Sequence, residues 1–124
     1  MTQIANVSPE IAELLHKTDF DAEVQGIYID GEYACSHNLC GSHASYNDIE
    51  GKENVWLAPN YEQVRTWIRD NGWSIVIDDF IHMEKLVYDY KLKPLGDQDI
   101  ESSNEEYSTY YHALDAAILK YLKR

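Results

Sequence analysis

Trp56-Leu57-Ala58-Pro59-Asn60-Tyr61-Glu62-Gln63-Val64-Arg65-Thr66-Trp67-Ile68-Arg69-Asp70-Asn71-Gly72-Trp73-Ser74-Ile75-Val76-Ile77 holds a helix start, a helix stop and a strand in one run. Asn60 and Gln63 have the spacing of a capping box, in which each side chain satisfies the other residue's backbone N–H. Val64, Trp67 and Ile68 then line one face until Asn71-Gly72, where glycine enters the left-handed region without a Cβ penalty. The reading is a helix over Tyr61–Asp70, Gly72 at positive φ, and a strand over 73–77.

Towards the N-terminus, Ser8-Pro9-Glu10 offers an N-cap, a proline at the first helical position and an acid in the first turn, which predicts a helix over 9–17. Asp30-Gly31 is a favoured pair for a type I′ turn and sits between apolar runs at 24–29 and 32–35, so a β-hairpin is expected there. Residues 36–54 are rich in Ser, His, Asn, Gly and acids without an apolar period, and read as a long polar loop.

Towards the C-terminus, 86–92 reads as a strand joined to 73–77 through a connection at 78–84, and 96–106 as a solvated acidic loop. Thr109 is the expected N-cap of a last helix over 110–123, with Ala113, Leu114, Ala117, Ile118, Tyr121 and Leu122 as its inner stripe. The fold expected is α+β, an antiparallel sheet of two β-hairpins with about three helices in a single layer on one face. One globular domain over 1–124 is expected.

The net charge is −12, from 22 acids against 10 bases, which opposes direct binding to nucleic acid or anionic membranes. Lys17 is the only base in residues 1–51, beside nine acids. The dense basic group Lys120, Lys123 and Arg124 is explained by a helix C-terminus, where cations meet the negative end of the dipole. Two cysteines, an N-terminus without a basic and apolar leader pattern, and no apolar run of about 20 residues point to a cytoplasmic protein.

Few groups carry candidate chemistry. Cys35, His37, Cys40 and His43 place thiol and imidazole ligands close together, so the loop is a zinc site, a Cys35–Cys40 disulfide or an ordinary polar loop. A thiol enzyme would need a base and an orienting group, and no orienting group is identified. Asp78 and Asp79 with His82 would bind a divalent cation or simply cap a turn. Arg65 and Arg69 form either an anion fork or weak pairs with Glu62. Asp19, Asp21 and Glu23 fall on one side of an extended segment, a spacing that could imitate nucleic-acid phosphates. Tyrosines and tryptophans are mostly expected in the core, with a few rings left as partner anchors.

Two segments together resemble a known family: Leu57-Ala58-Pro59-Asn60-Tyr61-Glu62-Gln63-Val64-Arg65-Thr66-Trp67-Ile68-Arg69, and Tyr110-Tyr111-His112-Ala113-Leu114-Asp115-Ala116-Ala117-Ile118-Leu119-Lys120. They are similar to small uncharacterised proteins of phages, prophages and mobile elements of anaerobic gut bacteria, in which an Ala-Pro-x-Tyr motif opens a Trp-bearing helix. A third, shorter match is Leu15-His16-Lys17-Thr18-Asp19-Phe20-Asp21. The chain departs from that pattern at His112, where an acid is usual, and in the Cys/His loop. The resemblance implies a fold and a genomic context, and assigns no catalytic residue or cofactor.

The expectation from all of this is a small, non-enzymatic accessory protein of a phage or mobile element that binds another protein, one with a basic face, through an acidic, tyrosine-bearing surface. The alternatives are a nucleic-acid mimic that inhibits a DNA-binding protein through Asp19, Asp21 and Glu23, and a zinc or thiol protein built on Cys35 to His43.

Overall fold

The structure, a computed structural model, describes residues 6–35, 45–96, 100–103 and 105–124. Its elements run α1 (Pro9–His16), β1 (Gly26–Ile29), β2 (Glu32–Cys35), α2 (Tyr46–Ile49), β3 (Val55–Leu57), α3 (Tyr61–Asp70), β4 (Trp73–His82), β5 (Lys85–Pro94), β6 (Glu101–Ser102) and α4 (Tyr110–Leu122). This is an α+β protein with two antiparallel sheets, ordered β2-β1-β3 and β4-β5-β6. Both expected hairpins are present, but each belongs to its own sheet, because β3 and β6 add a third strand to each separately. The helices therefore share no single sheet face: α1 contacts β3, and α4 contacts β4 and β5. By contact the chain divides into two compact units, Met1–Val64 and Arg65–Arg124.

In the first unit, Ser8 caps α1 by accepting from the Ile11 N–H, and Pro9 opens the helix. Asp30 and Gly31 have φ of 51° and 85°, the positive pair a type I′ turn requires, and Ile29 pairs with Glu32 across it. Val24, Ile27, Ile49, Val55 and Leu57 form a buried cluster. Ile49 belongs to α2, so residues 36–54, expected as loop throughout, contain a helical turn that fills this core. The capping box is formed: the Gln63 N–H donates to Asn60 Oδ1 at 2.8 Å, and the Asn60 N–H to Gln63 Oε1 at 3.0 Å.

In the second unit α3 ends as the sequence predicts, with Gly72 at φ 91° and its N–H donating to the Arg69 carbonyl at 3.0 Å. β4 and β5 pair from Trp73↔Pro94 to His82↔Lys85, so the expected connection at 78–84 shrinks to Met83-Glu84. β6 lies within the segment read as an acidic loop. One face of the hairpin buries Ile75, Tyr90 and Leu92, and α4 buries Ala113, Leu114, Ala117 and Ile118. Thr109 caps α4 by accepting from the His112 N–H at 3.1 Å. Trp67 and Trp73 both meet the Tyr121 ring edge-on, at 5.9 and 6.3 Å, while the Arg124 guanidinium lies 3.7 Å over Trp73.

Candidate interaction surface

The β4–β5 hairpin outruns the helix that covers it. Tyr110, the first residue of α4, meets Tyr88 edge-on with ring centroids 6.4 Å apart, and Tyr88 pairs with Asp79. Three further pairs, Phe80↔Val87, Ile81↔Leu86 and His82↔Lys85, extend beyond that rung. At about 3.3 Å per residue they project roughly 10 Å. Their large apolar side chains stay in water: Ile81 is 69% exposed, Met83 82% and Leu86 49%, with Phe80 also exposed. Tyr110 and Tyr111 continue the exposed set at the start of α4.

The turn at the tip has an unusual composition. Met83 and Glu84 have φ of 51° and 67°, a conformation in which Asn and Gly are the favoured residues. Holding L side chains there opposes folding by about 1–2 kcal/mol per residue. Residues held in this region are over-represented at functional sites.

The outer edge of this sheet is largely open. Tyr88 and Tyr107 exchange N–H and C=O bonds, both at 2.8 Å, so the backbone groups of Tyr88 turn away from β4 and Asp79↔Tyr88 is a non-hydrogen-bonded pair. By the strand's period of two, Ile75, Ile77, Asp79 and Ile81 direct their backbone groups to the outer edge. The Ile75 carbonyl accepts from Arg65 Nη2 at 2.8 Å, and Arg65 Nη1 donates to the Tyr110 hydroxyl at 2.7 Å. At Asp79 and Ile81 the outward groups have no partner among the described residues.

Carboxylates surround the tip. Asp78 stands opposite Asp89 across the ladder, with Lys91 Nζ 3.4 Å from Asp78 Oδ2. His82 Nδ1 lies 2.5 Å from Glu106 Oε1. Asp78 and Asp79 are consecutive strand residues on opposite faces, so the expected cation group of Asp78, Asp79 and His82 does not converge. Among the described residues no group of three or more His, Cys, Asp or Glu is placed to hold a metal. Arg65, expected in an anion fork or a pair with Glu62, is instead the clamp between Ile75 and Tyr110.

Asp19, Asp21 and Glu23 are all exposed, alternating with buried Phe20, partly buried Ala22 and buried Val24, so they do face one side. Asp21 Oδ1 also accepts the Tyr46 N–H at 2.9 Å, which gives that carboxylate a structural task at the start of α2. Of the Cys/His group, Cys35 ends β2, while His37, Cys40 and His43 lie outside the described residues.

A groove of about 730 Å³ beside α4 is lined by Tyr90, Glu101, Tyr107, Lys120, Lys123 and Arg124. Burial pushes the Tyr90 and Tyr107 phenols above their ordinary pKa; the Glu101 and Glu105 carboxylates add to this at Tyr90, and Tyr90 and Glu105 at Tyr107. Glu101 lies 3.9 Å from Arg124, so charges of both signs line the groove and it selects no ligand charge.

Phe80, Ile81, Met83 and Leu86 were not singled out by sequence reasoning. Phe80, Ile81 and Met83 fall inside the segment read as a connection at 78–84, and Leu86 opens the expected strand 86–92. No protein-family model, curated protein or solved structure matches this chain. Among the described residues no helix is long and apolar enough to cross a membrane.

Proposed function

We propose that this chain is a non-enzymatic protein-binding module, acting as an accessory factor of a phage or mobile element. The observation that carries the binding role is the overhanging hairpin tip, where Ile81, Met83 and Leu86 are exposed beyond the rung that Tyr110 covers. Clustered exposed apolar side chains mark interaction sites. Asp78, Asp79, Glu84 and Asp89 around them oppose an anionic lipid surface and suit a protein partner with a basic rim. The genomic context rests on the resemblance of residues 57–69 and 110–120. The nucleic-acid mimic has less support, since one of its three carboxylates, Asp21, is engaged by Tyr46.

The test compares the wild type with the combined variant Ile81→Ser, Met83→Ser and Leu86→Ser as immobilised baits in lysate of the cell that encodes the chain. The wild type should retain a protein that the variant, matched for its unfolding midpoint, loses. Equal retention by both would remove the tip as the binding surface.

A further inference from the structure

We propose that the distal half of β4 takes up an extended, basic and apolar segment of a partner protein as an added antiparallel strand. This rests on the protein-binding reading and specifies its mode. Strand addition needs a sheet edge with unsatisfied N–H and C=O groups and side chains that read alternate residues of the incoming chain. β4 is the outer strand of the order β4-β5-β6. In its proximal half Arg65 occupies the Ile75 carbonyl, whereas Asp79 and Ile81 present outward backbone groups with no partner among the described residues. Both residues are exposed.

The side chains along this edge select the occupant. Asp78 and Phe80 project from one face and Asp79 and Ile81 from the other, so an added strand meets two carboxylates and then two apolar groups. Directly opposed opposite charges and apolar pairs stabilise neighbouring strands, and like charges do the reverse. Run antiparallel, the complementary segment reads apolar, apolar, basic, basic. A second copy of this chain fits poorly: twofold pairing centred on Asp79 sets carboxylate against carboxylate, between molecules that each carry a net charge of −12.

The experiment measures anisotropy of a fluorescein-labelled octapeptide with the core Val-Ile-Arg-Lys against the full chain. It uses two controls, the same peptide with Glu-Asp for Arg-Lys, and one N-methylated at the alternate residues that face β4. Proline at position 79 removes an N–H that points away from β5, so Asp79→Pro keeps the β4–β5 ladder while removing both the outward N–H and the carboxylate, and Asp79→Asn, which keeps the N–H, reads the loss of the charge alone. The parent peptide should bind, and the acidic peptide, the N-methylated peptide and the D79P chain should each lose about tenfold in affinity, as removal of two hydrogen bonds or reversal of charge implies.

Equal binding of the N-methylated and parent peptides would overturn strand addition, as would a concentration-dependent dimer of the wild type abolished by D79P. If strand addition fails while the Ile81, Met83 and Leu86 variant still loses its lysate partner, the protein-binding reading stands without it. If that variant retains its partner as well, both readings fail.

Discussion

Arg65 covers one carbonyl on the outer edge of β4 by donating from its guanidinium to Ile75 at 2.8 Å. An open edge is a template for unwanted strand pairing, and a long cationic side chain laid against it is one way of blunting it. Because Arg65 also donates to the Tyr110 hydroxyl at 2.7 Å, one residue ties β4, the start of α4 and α3 together within the second unit.

Arg65→Met keeps most of the aliphatic stem and removes both hydrogen bonds. It is expected to destabilise by about 1–3 kcal/mol, the range for hydrogen bonds to a charged group. Urea unfolding checks this, and a loss below about 0.5 kcal/mol would show that water replaces the guanidinium at little cost.

Leu114 and Ile118 are 1% and 0% exposed on the buried side of α4. Either one replaced by Ala should cost about 2–5 kcal/mol through lost transfer energy and the cavity left behind. Chemical denaturation of each variant provides the test, and losses under about 1 kcal/mol for both would remove α4 from the core.

What could be read from the sequence was what short-range chemistry determines. The Asn60–Gln63 box, the Asp30-Gly31 turn, the Ser8 and Thr109 caps and the Gly72 stop each depend on residues within a few positions of one another, and all are formed. β3 and β6 have three and two residues, too few to show a period, and they split the expected single sheet into two. The candidate surface was hidden for a related reason. Asp78 and Asp79 have poor strand propensity, and Met83-Glu84 lacks the Asn or Gly that signals a tight turn, so the distal hairpin read as a connection. Cross-strand partners such as Tyr88 and Tyr107, far apart in sequence, hold it as strand instead.

Gly72 tests the backbone separately from packing. It has φ 91° and a Cβ added there meets nothing within 4 Å, so a substitution is opposed only by its own dihedral preference. Gly72→Val should destabilise by about 1–2 kcal/mol, and Gly72→Asn by clearly less, because Asn tolerates the left-handed region. Thermal unfolding of both checks the order, and a valine variant as stable as the asparagine one would contradict the positive-φ cap.

Tyr90 and Tyr107 give the protein a specific alkaline sensitivity. Burial, aided by the neighbouring carboxylates Glu101 and Glu105 at Tyr90 and Glu105 at Tyr107, raises both phenols above their ordinary value of 10.0. With a raised folded-state pKa the unfolded chain releases its proton first, so the stabilising contribution is whole below the ordinary tyrosine value and is lost as pH rises through the higher folded value. Unfolding free energy measured upward from pH 9 should fall above about pH 10, and Tyr90→Phe with Tyr107→Phe should blunt that fall. An unchanged slope in the double variant would assign the alkaline loss to other groups.

Under the proposed binding role the charge and the apolar tip would make separable contributions, because salt screens the first and not the second. Nine acids against Lys17 in residues 1–51, and the carboxylates beside the tip, would steer the proposed basic partner during encounter. Rim charges act mainly on association rate, whereas burial of Ile81, Met83 and Leu86 in the proposed complex would govern how long it lasts. As the Debye length shortens from about 30 Å at 0.01 M to 10 Å at 0.1 M, association should slow while dissociation changes little. Stopped-flow or surface-capture kinetics between about 50 and 300 mM salt measure both rates. The Ile81, Met83 and Leu86 serine variant should show the reverse pattern, a near-normal association rate with faster dissociation. A wild-type association rate independent of salt over that range would remove electrostatic steering and leave the apolar tip as the sole anchor.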